Sequence, residues 1–179
     1  MKIAFFETDL TEEQWRFIHP FLPPPAKTGR PPTDRRSILN ALFYISKGGI
    51  QWRLLPHNFP PWKTVYHVFR QWTKNHTLEA LNDRLRAFVR EAAGKRSRPT
   101  AAILDSQSVK SDCHGGPVGY DAGKKIKGRK RHVLVDTLGL ILAVFVTPAN
   151  VQEREGGQGL LARALGFLPW LRLLWVDAG

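Results

Sequence analysis

Residues Thr100 to Lys110 read TAAILDSQSVK. Ala101 to Leu104 is a short apolar run, and Asp105 interrupts it with a charge. Ser106 to Val109 then continue in a composition that still tolerates a strand. Period two puts Ile103, Asp105, Gln107 and Val109 on one face. A carboxylate in that position is costly to bury unless it is paired, hydrogen-bonded or bound to a cation. Leu171 to Gly179, LRLLWVDAG, repeats the pattern with an apolar run that stops at Asp177. Two apolar strands that each deliver one aspartate form the skeleton of a divalent-metal site.

Between these two strands the chain alternates further elements. His132–Asp136 (HVLVD) and Leu140–Thr147 (LILAVFVT) read as strands joined by a tight hairpin at Thr137-Leu138-Gly139. Residues 151–167 read as a helix with Leu160, Leu161, Ala164 and Leu165 apolar, and 171–176 as the next strand. The order is strand, strand, strand, helix, strand. A strand after a crossover helix pairs parallel in the same sheet. If it lies beside the first strand, Asp177 comes close to Asp105, at the carboxyl end where ligands of open α/β sheets gather. Two hard carboxylates held close suit magnesium or manganese. A pair of such ions about 4 Å apart activates the attacking oxygen and stabilises the leaving oxygen of a phosphoryl displacement. Asp136 is explained equally well by its hairpin, and Glu153 and Glu155 by the dipole of the helix they open.

Residues 111–132, SDCHGGPVGYDAGKKIKGRKRH, read as a glycine-rich loop holding the densest charge run of the chain. Lys124, Lys125, Lys127, Arg129, Lys130 and Arg131 lie within eight residues. Leading from one candidate metal strand to the next, this run would hold phosphates beside the metals. Cys113 and His114 lack the spacing and the partners of a zinc site, so they read as loop residues.

Everything before Thr100 reads differently. Thr11 caps a helix over 10–21, with Glu12 and Glu13 in its first turn and Trp15, Ile18 and Leu22 on its apolar stripe. A stiff basic linker, AKTGRPP, carries Arg30, which can lie along a DNA groove or be a solvated connector. Thr33 is the expected cap of a second helix bearing Ile38, Leu39, Leu42, Phe43 and Ile45, and Gly48-Gly49 its stop. Trp52, Leu54 and Leu55 are expected in the core. A helix over 64–73 sets Val65, Val68, Phe69 and Trp72 against His67, Arg70, Gln71 and Lys74. A last helix, 78–93, is expected to turn Leu81, Leu85, Phe88 and Val89 inward and Arg84, Arg86 and Arg90 outward. The polar face of 64–74 suits a groove-reading helix of a helix-turn-helix, and equally the solvated face of a plain bundle. The basic, proline-ended GKRSRP at 94–99 marks a boundary. The expected division is a helical DNA-binding domain, 1–95, and a sheet domain, 96–179.

Charge agrees with a polyanionic partner. The chain carries 27 Lys+Arg against 15 Asp+Glu, for a net charge of +12. The part before Ala101 holds 17 basic and 8 acidic residues, and the remainder 10 and 7. Phosphate neutralisation supplies much of the affinity for nucleic acid. The single cysteine allows no intramolecular disulfide, which suits a reducing cytosol. No apolar run reaches the roughly 18 residues of a membrane span.

Taken together, LTEEQW, GRPP, ISKGGIQWRLLP, PWKTVYHVFRQW, ILDSQSVK, GYDAGKKIKGRKRHVLVDTLGL, TPANVQER and LLWVDAG resemble a bacterial insertion-sequence transposase. The resemblance implies a helical N-terminal domain followed by an incomplete ribonuclease H-like mixed sheet, an α+β architecture with α/β character. It implies two aspartates and a glutamate that hold two Mg2+ (or Mn2+) ions for strand cleavage and transfer. By motif the aspartates are Asp105 and Asp177. The implied partners are double-stranded DNA and a second copy of the chain, in a cytoplasmic, nucleoid-associated setting. The third carboxylate, on a later helix, has no counterpart before Gly179, so the chain reads as the front portion of such an enzyme and is expected to act poorly alone. The rival readings are a DNA-binding fragment that represses transposition and a structure-specific nuclease on the same fold.

Overall fold

The computed structural model describes residues 6–24, 32–111 and 116–176. Arg30, the Cys113-His114 pair and Asp177 lie outside the described residues. The chain divides into two compact units, 1–82 and 83–179.

The first unit is helical. α1 (Glu12–Ile18) starts at a full capping box: the Thr11 hydroxyl accepts from Gln14 N–H, and the Gln14 amide oxygen accepts from Thr11 N–H. A 3-10 turn, His19–Phe21, extends it. α2 (Arg35–Gly48) is capped by Asp34, not by the expected Thr33; the Asp34 carboxylate takes the Ser37 backbone N–H at 2.9 Å. An acid in this position satisfies an orphan donor and the helix dipole at once. Gly49 closes the helix in the left-handed region, at φ 61°. In the 3-10 turn Trp52–Leu54, three residues per turn put Trp52 and Leu55 on one side. Leu55 is buried, whereas Leu54 is 65% exposed and not a core residue as its composition suggested. α3 (Trp62–Lys74) follows, burying Val65 and Trp72 and exposing His67, Arg70, Gln71 and Lys74.

The unit boundary falls within α4 (Thr77–Ala92). Its second half inverts the expected faces. Arg86 and Arg90 are buried at 7% and 5%, while Phe88 and Val89 are exposed at 52% and 44%. The reason is specific pairing. Arg86 donates to the Asp83 carboxylate and the Ile141 carbonyl, and Arg90 to the Asp136 carboxylate and the Arg96 carbonyl. Paired and hydrogen-bonded, a guanidinium can go where an apolar pattern alone would place a phenyl ring.

In the second unit β1 (Ala101–Lys110) is the central strand. β3 (Ile126–Asp136) pairs antiparallel on one side of it and β5 (Leu173–Val176) parallel on the other. β2 (Gly119–Asp121) and β4 (Ile141–Pro148) both pair antiparallel with β3, giving a mixed five-stranded sheet. The parallel β1–β5 register runs from Ala101↔Leu173 to Leu104↔Val176. β3 begins at Ile126, six residues before the expected start at His132. Lys127, Arg129, Lys130 and Arg131 are therefore strand residues and not loop, because the long β1 offers partners down to Lys110↔Gly128. β2 likewise forms inside the stretch 111–132 whose glycine content predicts a loop.

α5 (Glu153–Ala164) covers one face of the sheet, with Leu160 and Ala164 buried among Ala102, Leu104, Leu134 and Leu168. Its three glycines cost helix propensity at roughly 1 kcal/mol each. Two of them show what they allow. A Cβ on Gly156 would lie 2.0 Å from His132 Nε2, and one on Gly159 would lie 2.7 Å from the Phe145 ring. Close approach to the sheet, not local propensity, makes this segment a helix.

Candidate functional site

β1 alternates as its sequence requires. Ala102, Leu104 and Ser108 are buried, while Ile103, Asp105 and Gln107 face outward. The exposed Asp105 carboxylate accepts the Ser106 backbone N–H at 2.7 Å. It opens on a cleft of about 820 Å3 lined also by Ser106, Lys124, Glu153, Arg154 and Val176. The cleft thus brings together the middle of β1, the end of β5, the β2–β3 turn and the start of α5.

Lys124 and Glu153 face each other in this cleft, Nζ to Oε1 at 2.7 Å. The Lys124 hydrogen bond, followed by one from Ser106, holds the Glu153 carboxyl below its ordinary range. Glu153 in turn pushes the Lys124 ammonium up, and the nearby Asp105 charge adds to this. Glu153 does occupy the first turn of its helix as the dipole favours, but it also supplies the cleft with a second carboxylate. Sequence reasoning had no signal for that, since only the fold carries residue 153 to residue 106.

The turn that presents Lys124 is fixed from beneath. The Asp121 carboxylate accepts from the Ser108 hydroxyl at 2.6 Å and from Lys124 N–H at 3.0 Å, and lies 3.3 Å from Lys130 Nζ. The Ser108 bond, then the Lys124 N–H and the Lys130 ammonium, hold Asp121 far below the ordinary carboxylate range. The turn composition of GYDAGKKIKG, an Asp-x-Gly between alternating residues, was the available sign of this hairpin.

The basic run separates into distinct roles. Lys124, Lys125, Lys127 and Arg131 are exposed. Arg131 donates to Gln107 Oε1 at 2.6 Å, and Arg129 to the Gly116 carbonyl at 2.9 Å. Lys130 is buried, with its ammonium committed to Asp121 and to the Val151 carbonyl. Beside it His132 is fully buried. His132 Nε2 lies 3.1 Å from the Thr147 hydroxyl. Burial first, and then the Lys130 charge, lower the His132 pKa, with Glu153 opposing. Asp136 belongs to a different feature: it is fully buried, takes the Leu138 and Leu140 N–H groups at 2.8 and 2.9 Å, and meets Arg90. It is a hairpin clamp, the reading its position beside the turn suggested.

Two family models match the chain. Residues 10–82 match the family model described as "Putative transposase of IS4/5 family", and residues 96–179 match "Transposase DDE domain". A 16.2 kDa protein of insertion element IS402 from Burkholderia cepacia is 30% identical over 117 residues, 62% of this chain and 78% of that one. The chain belongs to this insertion-sequence transposase family. Protein y4sN of Sinorhizobium fredii is 31% identical over 84 residues, 46% of this chain and 65% of that relative. No solved structure matches. The sheet domain described above is accordingly the ribonuclease H-like domain of a DDE transposase, and such transposases generally use a divalent metal. Among the described residues no three His, Cys, Asp or Glu side chains cluster as metal ligands. An exposed oxygen-donor carboxylate in an open cleft nevertheless fits a hard cation that keeps most of its ligands as water and phosphate. No helix among the described residues is long and apolar enough to cross a membrane.

Proposed function

We propose that this transposase-family chain binds the duplex DNA of insertion-element ends and target sites and carries out metal-dependent strand cleavage and transfer. The observation that carries the reading is the exposed Asp105 carboxylate on a central strand whose parallel neighbour ends at Val176. Leu104 pairs with Val176, and in the sequence each of these two residues is followed by an aspartate, Asp105 and Asp177. Asp105 and Asp177 would hold the divalent ion, Mg2+ or Mn2+. Once bound, that ion supplies activation of the attacking oxygen and neutralisation of charge at the scissile phosphate.

The rest of the cleft suits the phosphate. Lys124 and Arg154 supply positive charge on its wall. Gln152, the N-cap of α5, lines the cleft and makes no side-chain capping bond, so the first N–H groups of the helix, with its dipole behind them, are left without a side-chain acceptor there. Lys124 is held by Glu153 in the free protein. A phosphate competes for that ammonium, and its arrival frees the Glu153 carboxylate to accept a proton or a water within the cleft. The exposed cations Lys125, Lys127 and Arg131, the Arg129 beside them, Arg30 and the polar face of α3 extend the DNA contact, and the active form is a homo-oligomer, with residues 1–95 as the DNA-binding domain and 96–179 as the catalytic one.

The test is nicking of an element-end duplex in magnesium. Asp105→Asn should reduce nicking to background while leaving duplex binding intact, because the substitution removes a charge from the cleft and no cation from the DNA surface. Nicking that survives Asp105→Asn at the parental rate would overturn the assignment. Duplex binding without nicking by the unmodified protein would leave only the binding role.

A further inference from the structure

A second cationic concavity lies at the other end of β5. It has a volume of about 620 Å3 and is lined by Lys95, Arg96, Arg98, Arg172, Trp170 and one acid, Glu91. The four cations are exposed, and no ion pair engages any of them among the described residues. The Arg98 guanidinium stacks on the Trp170 ring at 4.7 Å from its centroid. Stacking fixes the plane of the guanidinium and leaves its N–H groups for an oxygen ligand, since the ring face uses none of them. Arg172 and Thr100 are tied at the backbone, with Arg172 N–H donating to the Thr100 carbonyl at 2.8 Å. The cations of 95–98 and that of 172 are thereby held to one surface, although they come from two distant parts of the sequence.

Four cations around a concavity with a single acid select for an anion carrying several charges, and the planar forks of three arginines suit phosphate. The position narrows this further. Arg172 lines the concavity and Val176 lines the Asp105 cleft, so the two sites flank the four residues of β5. At a strand rise of about 3.3 Å per residue they lie roughly 13 Å apart along the sheet edge. Phosphates of one DNA strand follow each other every 3.4 Å or so along the helix axis. We infer that Lys95, Arg96, Arg98 and Arg172 bind the phosphodiester backbone of the same duplex whose scissile phosphate enters the cleft, about four nucleotides from the cut. The inference rests on the proposed DNA-cleaving function and adds to it a docking track that sets the register of the cut.

Duplex affinity of the whole chain measured against salt tests it, comparing the unmodified protein with Lys95→Ala/Arg98→Ala/Arg172→Ala. Three lost phosphate contacts should make the slope of log affinity against log salt shallower by about 3. Phosphate-ethylation interference should disappear about four nucleotides from the cut and persist at the cut itself. An unchanged slope and interference pattern in the triple variant would overturn the inference and leave the proposed function standing. Failure of the unmodified protein to bind duplex would overturn both. Should circular dichroism show the triple variant unfolded, Glu91→Gln serves in its place. Removing the only acid of the concavity should tighten duplex binding several-fold, and unchanged or weaker binding would overturn the inference.

Discussion

Two lysines six residues apart make opposite predictions. Lys124 is exposed in the cleft, and its partner Glu153 is also exposed, so the pair contributes little to stability. Lys124→Ala should therefore leave the unfolding midpoint nearly unchanged while weakening duplex binding and flattening its salt dependence. Lys130 is buried against Asp121, and its loss strands a buried carboxylate. Lys130→Ala should lower the midpoint in urea and, in the fraction that stays folded, leave the salt slope alone. His132 adds a pH effect with a definite sign. Its folded pKa is depressed by burial, so below the ordinary histidine value of about 6.5 only the unfolded chain takes up the proton. Stability from this group is complete above that value and is lost as pH falls toward the depressed folded value. Thermal melts should record a decline as pH drops below about 6.5 that a His132→Leu variant lacks.

At the level of elements, α5 and α4 are each held by contacts their own sequences do not advertise. Gly156→Ala would ordinarily favour a helix by about 1 kcal/mol. Here the new methyl would lie 2.0 Å from His132 Nε2, in a core with no room for it. Overpacking of that kind costs about 1–3 kcal/mol, so the clash wins and urea unfolding should show net destabilisation. In α4 the Arg90–Asp136 pair joins the helix to the β3–β4 hairpin, both side chains being buried. Arg90→Ala should cost about 3–5 kcal/mol, because it leaves a buried charge without its partner. Asp136→Asn should cost less, since its amide oxygen can still accept the Leu138 and Leu140 N–H groups. Equal losses from the two substitutions would mean that the ion pair, which both remove, dominates over the hairpin contacts, which both keep.

For the molecule as a whole, the prediction concerns how its net charge of +12 is distributed. Part of that charge is consumed internally, at Arg86, Arg90 and Lys130, and cannot meet DNA. Alanine at the exposed Lys124, Lys125, Lys127 and Arg131 together should make the salt slope of duplex binding shallower by about 4. Alanine at Arg86 and Arg90 should change stability and not the slope. A slope that tracks total charge removed, whatever the position, would show that long-range attraction and not contact sets the affinity.

The alternation of β1, the cap at Thr11, the stop at Gly49 and the crossover from the β3–β4 hairpin through a helix to a parallel strand were all legible in the sequence. Each follows from spacing or from backbone chemistry acting over a few residues. Family membership was legible too, because the motifs that carry it are contiguous. Other features depended on residues far apart in the chain. Glu153 reaches the Asp105 cleft only because α5 crosses back over β1. The true start of β3 is set by the length of its partner β1, and not by its own basic composition. The apolar pattern of α4 suggested Phe88 and Val89 inside, yet the Ile141 carbonyl and the Asp136 carboxylate draw Arg86 and Arg90 inward instead. Periodicity records how hydrophobic each position is, whereas the burial of a charge is decided by whether a partner waits in the core, and that partner is supplied by tertiary structure alone.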